Sequence, residues 1–523
     1  MARGRHARAL GAGVDSRWLI LPVLCLSVFL VVVDNTIVNV ALPSLSRDLG
    51  ASTSSLQWIV DAYSLAFAGL LLAGGGIGDR FGRKRVMQIG LVAFGAFSLL
   101  ASISHTTNSL IAARALMGVA AAFIFPATLA ILTSIFEDPS ERQKALGIWG
   151  ATSGLAVAFG PITGGALLEH YWYGSVFLIN IPLVAVTLLG GQLLIPNVSY
   201  QRPGSFDTRG VLVSTAGVTL LVLAIIEGPD WGWTAPGTLL CFGVAFALLA
   251  AFTLLELRTA EPLLDVRVFK IPRFSSGAVS VAVAFFTLFG FIFLITQYFQ
   301  FVKGYSTLSA GVHTLPFAVV AAIFTPLGAV AALKIGSRTV VCVGLLLMGS
   351  GLVVAGLTST PTTPFWGPII AAEILLSLGL SLITAPATEA VMGSLRADQV
   401  GAGAAVNNTT RELGGTLGVA VFGSVFASAY GPKIASVFGA LPIPAAAGHA
   451  AQTSVAAALS VAERAPVALQ PHLVAAANSA FEAGLRLSCL SGAVVTVLGA
   501  LVAARFLPAK GELHHSVSKM LAS

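Results

Sequence analysis

Fourteen apolar runs long enough to cross a bilayer recur along the chain. They lie at about 18–42, 56–78, 86–104, 108–135, 144–168, 175–195, 210–227, 237–257, 273–301, 308–332, 339–358, 366–392, 399–428 and 478–505. A helix needs roughly 20 apolar residues, at ~1.5 Å each, to traverse the hydrocarbon. A chain that repeats such runs with only short polar breaks can fold only as an all-helical membrane protein. The composition agrees, with 56% hydrophobic and 10% charged residues and a mean hydropathy of +0.89, which excludes a water-soluble domain. Cys25, Cys241, Cys342 and Cys489 all fall inside apolar runs, with neither metal-ligand spacing nor a disulfide framework.

The first run, Trp18 to Pro43, contains an aspartate. Asp34 lies ~24 Å along from Trp18, past the midpoint of the span. A charge at that depth costs at least ~2.5–3.5 kcal/mol, so such residues face a cavity or a partner. We read Asp34 as a proton or cation site; the alternative is a carboxyl kept neutral by a hydrogen bond.

Charge placement orients the spans. Of the 29 Lys and Arg residues, 22 fall in the segments on one side, four on the other, and Arg114, Arg411 and Arg486 within spans. Cytoplasmic loops carry the excess of Lys and Arg, so both termini are expected in the cytoplasm and the number of spans is even. This placement also accounts for the net charge of +7 without nucleic acid. The apolar run behind Arg3, Arg5 and Arg8 is too long for a signal peptide and continues into further spans, so it is expected to stay uncleaved.

The spans form two related sets. Gly82 sits in the turn after the second span and Gly336 in the turn after the tenth, 254 positions apart. Gly160-Pro161 with Gly164 in the fifth span and Gly414-Gly415 with Gly418 in the thirteenth repeat the same offset of 254. The expected organisation is a cytoplasmic tail at 1–17, a six-helix half at 18–195, and an inserted helix pair with its linkers at 196–272. A second six-helix half at 273–505 includes an outer loop at 430–477, and a cytoplasmic tail occupies 506–523. A short surface helix is expected over 445–463 in that loop. Parallel halves of this kind place a substrate site at their interface near the middle of the membrane.

Several motifs stand on this frame. They are Asp34-Asn-Thr-Ile-Val-Asn39-Val-Ala-Leu-Pro43, Gly75-Gly-Ile-Gly-Asp79-Arg80-Phe-Gly82-Arg83-Lys84, Arg114-Ala-Leu-Met-Gly118, Ala156-Val-Ala-Phe-Gly160-Pro161-Ile-Thr-Gly164-Gly165 and Asn407-Asn-Thr-Thr-Arg411-Glu412-Leu-Gly414-Gly415. Together they resemble the fourteen-helix drug/proton antiporters of the major facilitator superfamily, over about 18–505. One departure is Ala156, where the family pattern has glycine. The resemblance implies the major facilitator fold, proton coupling, and gating at the 75–85 loop, with Asp79 accepting from a neighbouring helix N-terminus or from Arg142; the alternative is a loop that is only positive-inside. It further implies that the fifth-span motif, Gly160, Pro161, Gly164 and Gly165, favours exchange and limits proton leak; from physics alone these residues kink the helix and allow close packing.

Arg114 lies ~9 Å in from the outer side, Asp61 at a similar depth and Asp34 ~12 Å in. We expect these three to form a coupled cluster for protons, in which a cation favours the ionised carboxyl and burial the neutral one; the alternative is a static ion pair between Arg114 and one aspartate. Glu373, Asn407, Arg411 and Glu412 in the second half, with Asn39, Phe289 and Gln297, are candidates for the substrate cavity; the charged and amide groups of the thirteenth span serve equally well as a helix lock. Aromatic residues of the ninth span suit flat or cationic lipophilic ligands. No phosphate-cradling loop, metal cluster or nucleophile–base pair is visible, so no cofactor, no metal and no enzymatic activity are expected.

The reading is a monomeric exporter of lipophilic small molecules, cationic or amphipathic, in exchange for protons. It would work among the lipids of a bacterial cytoplasmic membrane. Two alternatives stand beside it: export of a lipid or endogenous metabolite, and a non-transporting receptor or scaffold, which would have little use for acids buried in the first two spans.

Overall fold

The computed structural model describes residues 16–136, 138–196, 207–259, 264–395, 400–438 and 445–508. The first half contains α1 (Ser16–Leu49), α2 (Thr53–Phe81), α3 (Arg83–Ser102), α4 (Thr107–Ile135), α5 (Pro139–His170) and α6 (Ser175–Leu194). The inserted pair is α7 (Thr208–Trp231) and α8 (Pro236–Arg258). The second half contains α9 (Pro272–Val302), α10 (Thr307–Ile335), α11 (Ser337–Thr358), α12 (Phe365–Met392) and α13 (Val400–Phe438). Two short helices come next, α14 (Ala445–Thr453) and α15 (Val455–Arg464), before the last long one, α16 (Gln470–Phe506).

These segments are helical because hydrocarbon offers no partner for backbone N–H and C=O groups, so each segment must satisfy its own. Thirteen of the helices are long and apolar enough to cross a membrane, and α2, at 29 residues, supplies the fourteenth by length. Short side chains start several of them: Ser52 accepts from the Ser55 backbone N–H, and Thr106 and Ser109 cap α4 reciprocally. The turns at Gly82 and Gly336 share one backbone shape, φ 98° and 92° with ψ 117° and 145°. Only glycine adopts that conformation without strain.

The internal repeat is visible in the packing. Gly160 and Gly164 of α5 lie against Thr36 and Ile37 of α1, and Gly414 and Gly418 of α13 lie against Ala282 and Phe286 of α9. Likewise α2 packs on α4 as α10 packs on α12, and α3 on α6 as α11 on α16. The halves then meet along two matching seams, α2 against α13 and α5 against α10, with α1 touching α9.

The seams are closed at the face opposite the helix ends at Ser16 and Phe506. There the Gln57 amide donates to the Ala420 carbonyl at 2.8 Å, Gln300 to the Val40 carbonyl at 2.9 Å, and the Thr307 hydroxyl to the Gly165 carbonyl at 3.1 Å. A Cβ on Gly311 would lie 2.2 Å from the Pro161 carbonyl oxygen, so only glycine permits this approach of α10 to α5. The segment expected as an outer loop is largely helical. Helix α13 runs on to Phe438, and the expected surface helix is two helices broken at Ser454, whose side chain caps α15 by accepting from the Ala457 N–H. These two lie over the first half: Ser454 and Ser46 share a hydrogen bond of 3.1 Å, and Thr53 donates to the Thr453 carbonyl at 3.1 Å.

Candidate functional site

Asp34 is the hub of a group drawn from five helices. Arg114 Nη1 of α4 donates to Asp34 Oδ2 at 2.5 Å, and both side chains are 0% exposed. Asn180 Nδ2 of α6 donates to Asp34 Oδ1 at 2.8 Å and lies 2.9 Å from the Ser98 hydroxyl of α3. Ser98 in turn donates to the Phe177 carbonyl at 2.8 Å. The guanidinium is held a second way, by donation from Nε to the Ile59 carbonyl at 3.2 Å and by stacking over the Tyr63 ring at 4.3 Å. Tyr63 itself donates to the Val31 carbonyl of α1 at 3.2 Å. A buried ion pair of this kind is sustainable only with added hydrogen bonds on the remaining lone pairs, and Asn180 supplies one.

Asp61 does not join the pair. It is fully buried in α2, one turn from Gln57, and neither carboxyl oxygen accepts a hydrogen bond among the described residues. Gln57 above it and Leu65 below it both pack on α13, so Asp61 faces the seam between the halves. In the second half Glu373 is buried near the start of α12, with Oε2 unpartnered among the described residues. Asn39 and Asn407 are buried as well, each with an unpartnered amide oxygen, and the Asn39 amide donates to the Asn35 carbonyl of its own helix at 3.2 Å. Gln297 likewise turns back on its own helix, to the Phe293 carbonyl at 2.8 Å.

Phe289 stacks with Phe285 at 6.2 Å, while Phe291, Phe293, Tyr298 and Phe299 are buried in the core. Arg411 lies over the Phe285 ring at 4.4 Å and is exposed, and Glu412 is half-buried. With Val281, Ala284, Ile383, Thr384 and Thr388, Phe285 and Arg411 line a small recess in the second half. A guanidinium near mid-helix faces the bundle interior or a cavity rather than lipid.

At the face of Ser16 and Phe506, Gly75 precedes the turn and Gly82 makes it, Arg80 lies over the Phe81 ring at 5.7 Å, and Arg83 donates to the Ala130 carbonyl of α4 at 2.8 Å. Arg142 is in the first turn of α5. The side chain of Asp79, and with it the expected contact to Arg142, lies outside the described residues. Within α5, Pro161 and Gly165 sit at the seam, where a Cβ on Gly165 would lie 2.6 Å from the Thr307 carbonyl. Gln57, Ser98, Asn180 and Gln300 are the contributors that the motifs do not single out. Asn180 stands as a lone amide in an apolar run, which is the one sequence signal it offers.

Comparison with known proteins points the same way. A model described as Major Facilitator Superfamily matches residues 24–419. The chain belongs to the major facilitator superfamily. Among its relatives, the multidrug efflux pump LfrA of Mycolicibacterium smegmatis is 35% identical over 485 residues, which is 93% of this chain and 95% of that protein. The methyl viologen resistance protein SmvA of Salmonella typhimurium is 36% identical over 425 residues, 80% of this chain and 84% of that one. This superfamily member also shares its fold with a solved bacterial homologue of the human lysosomal transporter Spinster, in an inward-facing and unoccupied conformation. The TM-score is 0.64 at 19% identity, covering 95% of this chain and 98% of that chain.

Proposed function

We propose that the protein exports lipophilic small molecules, cationic or amphipathic, in exchange for protons, across a bacterial cytoplasmic membrane. The face of Ser16 and Phe506 is cytoplasmic in this reading, and the two halves rock about the central cavity as a monomer. The observation that carries it is the buried Asp34–Arg114 pair with its amide partner Asn180, a titratable group joining α1, α4 and α6. The names of the relatives supply the substrate class: multidrug efflux for one and methyl viologen resistance for another.

In this cycle Asp34 takes a proton from the outer side while the cavity faces outward, which cancels its attraction for Arg114 and loosens α1 from α4 as the halves close outside and part at the cytoplasmic face. Loss of the proton toward the cytoplasm restores the pair. Inward proton movement contributes ~2.3 kcal/mol per charge per 100 mV, in addition to the pH gradient. Everted vesicles from a host stripped of its own efflux pumps test this. An imposed pH gradient should drive uptake of a cationic dye, and a protonophore should abolish it. Uptake that needs ATP and ignores the gradient would overturn the reading.

A further inference from the structure

The recess around Arg411 has a lopsided chemistry. Its floor is apolar, formed by Val281, Ala284 and Phe285 of α9 and Ile383 of α12. Its polar groups are the Arg411 guanidinium and the hydroxyls of Thr384 and Thr388. The Thr384 Oγ1 atom is buried and has no hydrogen-bond partner among the described residues. No ion pair to Arg411 occurs among them either; its neighbour Glu412, one position along the helix, acts on it through charge without forming an ion pair. The guanidinium carbon lies 4.4 Å from the centre of the Phe285 ring. In the first half, by contrast, the Arg114 charge is already matched by Asp34.

We infer that this recess is a subsite for the oxyanion of an amphipathic substrate, a carboxylate held by Arg411 and Thr384. The inference rests on the efflux reading and sharpens its substrate class: amphiphiles bearing an acidic group, besides cations, are recognised. Two physical points favour an oxyanion. A guanidinium offers paired donors whose spacing matches a carboxylate, and an unpaired buried hydroxyl gains most from an acceptor. A cationic head placed here would meet like charge at close range in a partly dry site, so cations must bind elsewhere in the cavity.

The test uses a matched pair, a xanthene dye with a free carboxylate and the same dye as its methyl ester, titrated by fluorescence polarisation onto the purified full chain in detergent. The wild type should bind the carboxylate at least as tightly as the ester. Arg411→Gln should weaken the carboxylate by about ten- to hundredfold relative to the ester, the effect of removing a charged bidentate contact. Arg411→Lys, which keeps the charge without the fork, should fall between. A wild type that prefers the ester tenfold, or a carboxylate-to-ester ratio unmoved in Arg411→Gln, overturns the inference. Should Arg411→Gln not fold, Thr384→Val serves in its place and must lower the carboxylate alone by a few-fold. Binding of neither dye by the wild type would withdraw the efflux reading itself, and the inference with it. Repeating the titration in phosphatidylglycerol and phosphatidylcholine nanodiscs separates the two sources of such an anion. Weaker carboxylate binding in phosphatidylglycerol that disappears in Arg411→Gln shows a lipid headgroup competing for Arg411, and equal binding assigns the subsite to small carboxylates.

Discussion

Replacing Asp34 by Asn leaves the shape of the site but removes its charge, and the loss falls on Arg114. The Asn side-chain oxygen can still accept from Asn180, so that hydrogen bond survives. Arg114 loses its only carboxylate among the described residues while remaining 0% exposed. Leaving one member of a buried pair uncompensated costs about 3–5 kcal/mol. The double change Asp34→Asn with Arg114→Gln removes that stranded charge. It forfeits instead the Ile59 hydrogen bond and the stacking on Tyr63, about 1–2 kcal/mol together. The expected order of stability is therefore wild type, then double variant, then Asp34→Asn, read by thermal unfolding of purified protein in one detergent at neutral pH. Proton release on adding substrate in weak buffer, and export in vesicles, should be absent from both variants although the double variant regains stability. Asp34→Asn as stable as the wild type would refute the claim that the pair is ionised in this conformation. Undiminished proton release from Asp34→Asn would move coupling to Asp61 or Glu373.

Four further outcomes are expected. Ser46→Cys with Ser454→Cys, at hydroxyls 3.1 Å apart, should form a disulfide in a background free of native cysteine, and transport should stop until a reductant is added. Gly311→Ala places a methyl 2.2 Å from the Pro161 carbonyl oxygen, so it should destabilise the closed seam opposite Ser16 and Phe506 and raise labelling of Thr307→Cys by a membrane-impermeant maleimide. Asp61→Asn breaks no ion pair among those described, so its stability should match the wild type within about 1 kcal/mol, while export of dications weakens more than that of monocations. A reporter inserted near Gly448 should be active only outside and one fused after Ser523 only in the cytoplasm; activity on one side for both would remove the fourteen-helix topology.

What could be read from the sequence was height along each helix, and what could not was direction around it. The turn glycines Gly82 and Gly336 declared themselves by their common offset, and their backbone angles match. The depths of Asp34, Arg114 and Asp61 were readable, since each residue advances ~1.5 Å. Whether two groups at one depth face each other depends on azimuth, which packing decides, and so Arg114 turns to Asp34 while Asp61 turns to the seam. Gln297 and Gln300 make the same point. They stand three apart, yet a wide helical turn over Tyr298–Val302 swings the second across to Val40 and leaves the first on its own helix. Asn180 and Ser98 escaped notice because a single polar residue in an apolar run carries no sign of a partner 146 or 82 positions away.

The inserted helix α7 breaks the likeness between the two seams. It runs along α2 and α13, joined by Trp58 Nε1 to Glu227 at 2.9 Å, by Ser424 to the Ile225 carbonyl at 2.6 Å, and by Thr215 to the Gly69 carbonyl at 3.4 Å. With α8 packed behind it, this seam is upholstered against the bilayer, whereas no long helix among those described lies along the α5–α10 seam. A solute dissolved in the lipid therefore meets two unequal doors. The α5–α10 side is the one left bare, and α7, tied to both halves, limits how far the opposite seam can swing before its bonds to one half must break.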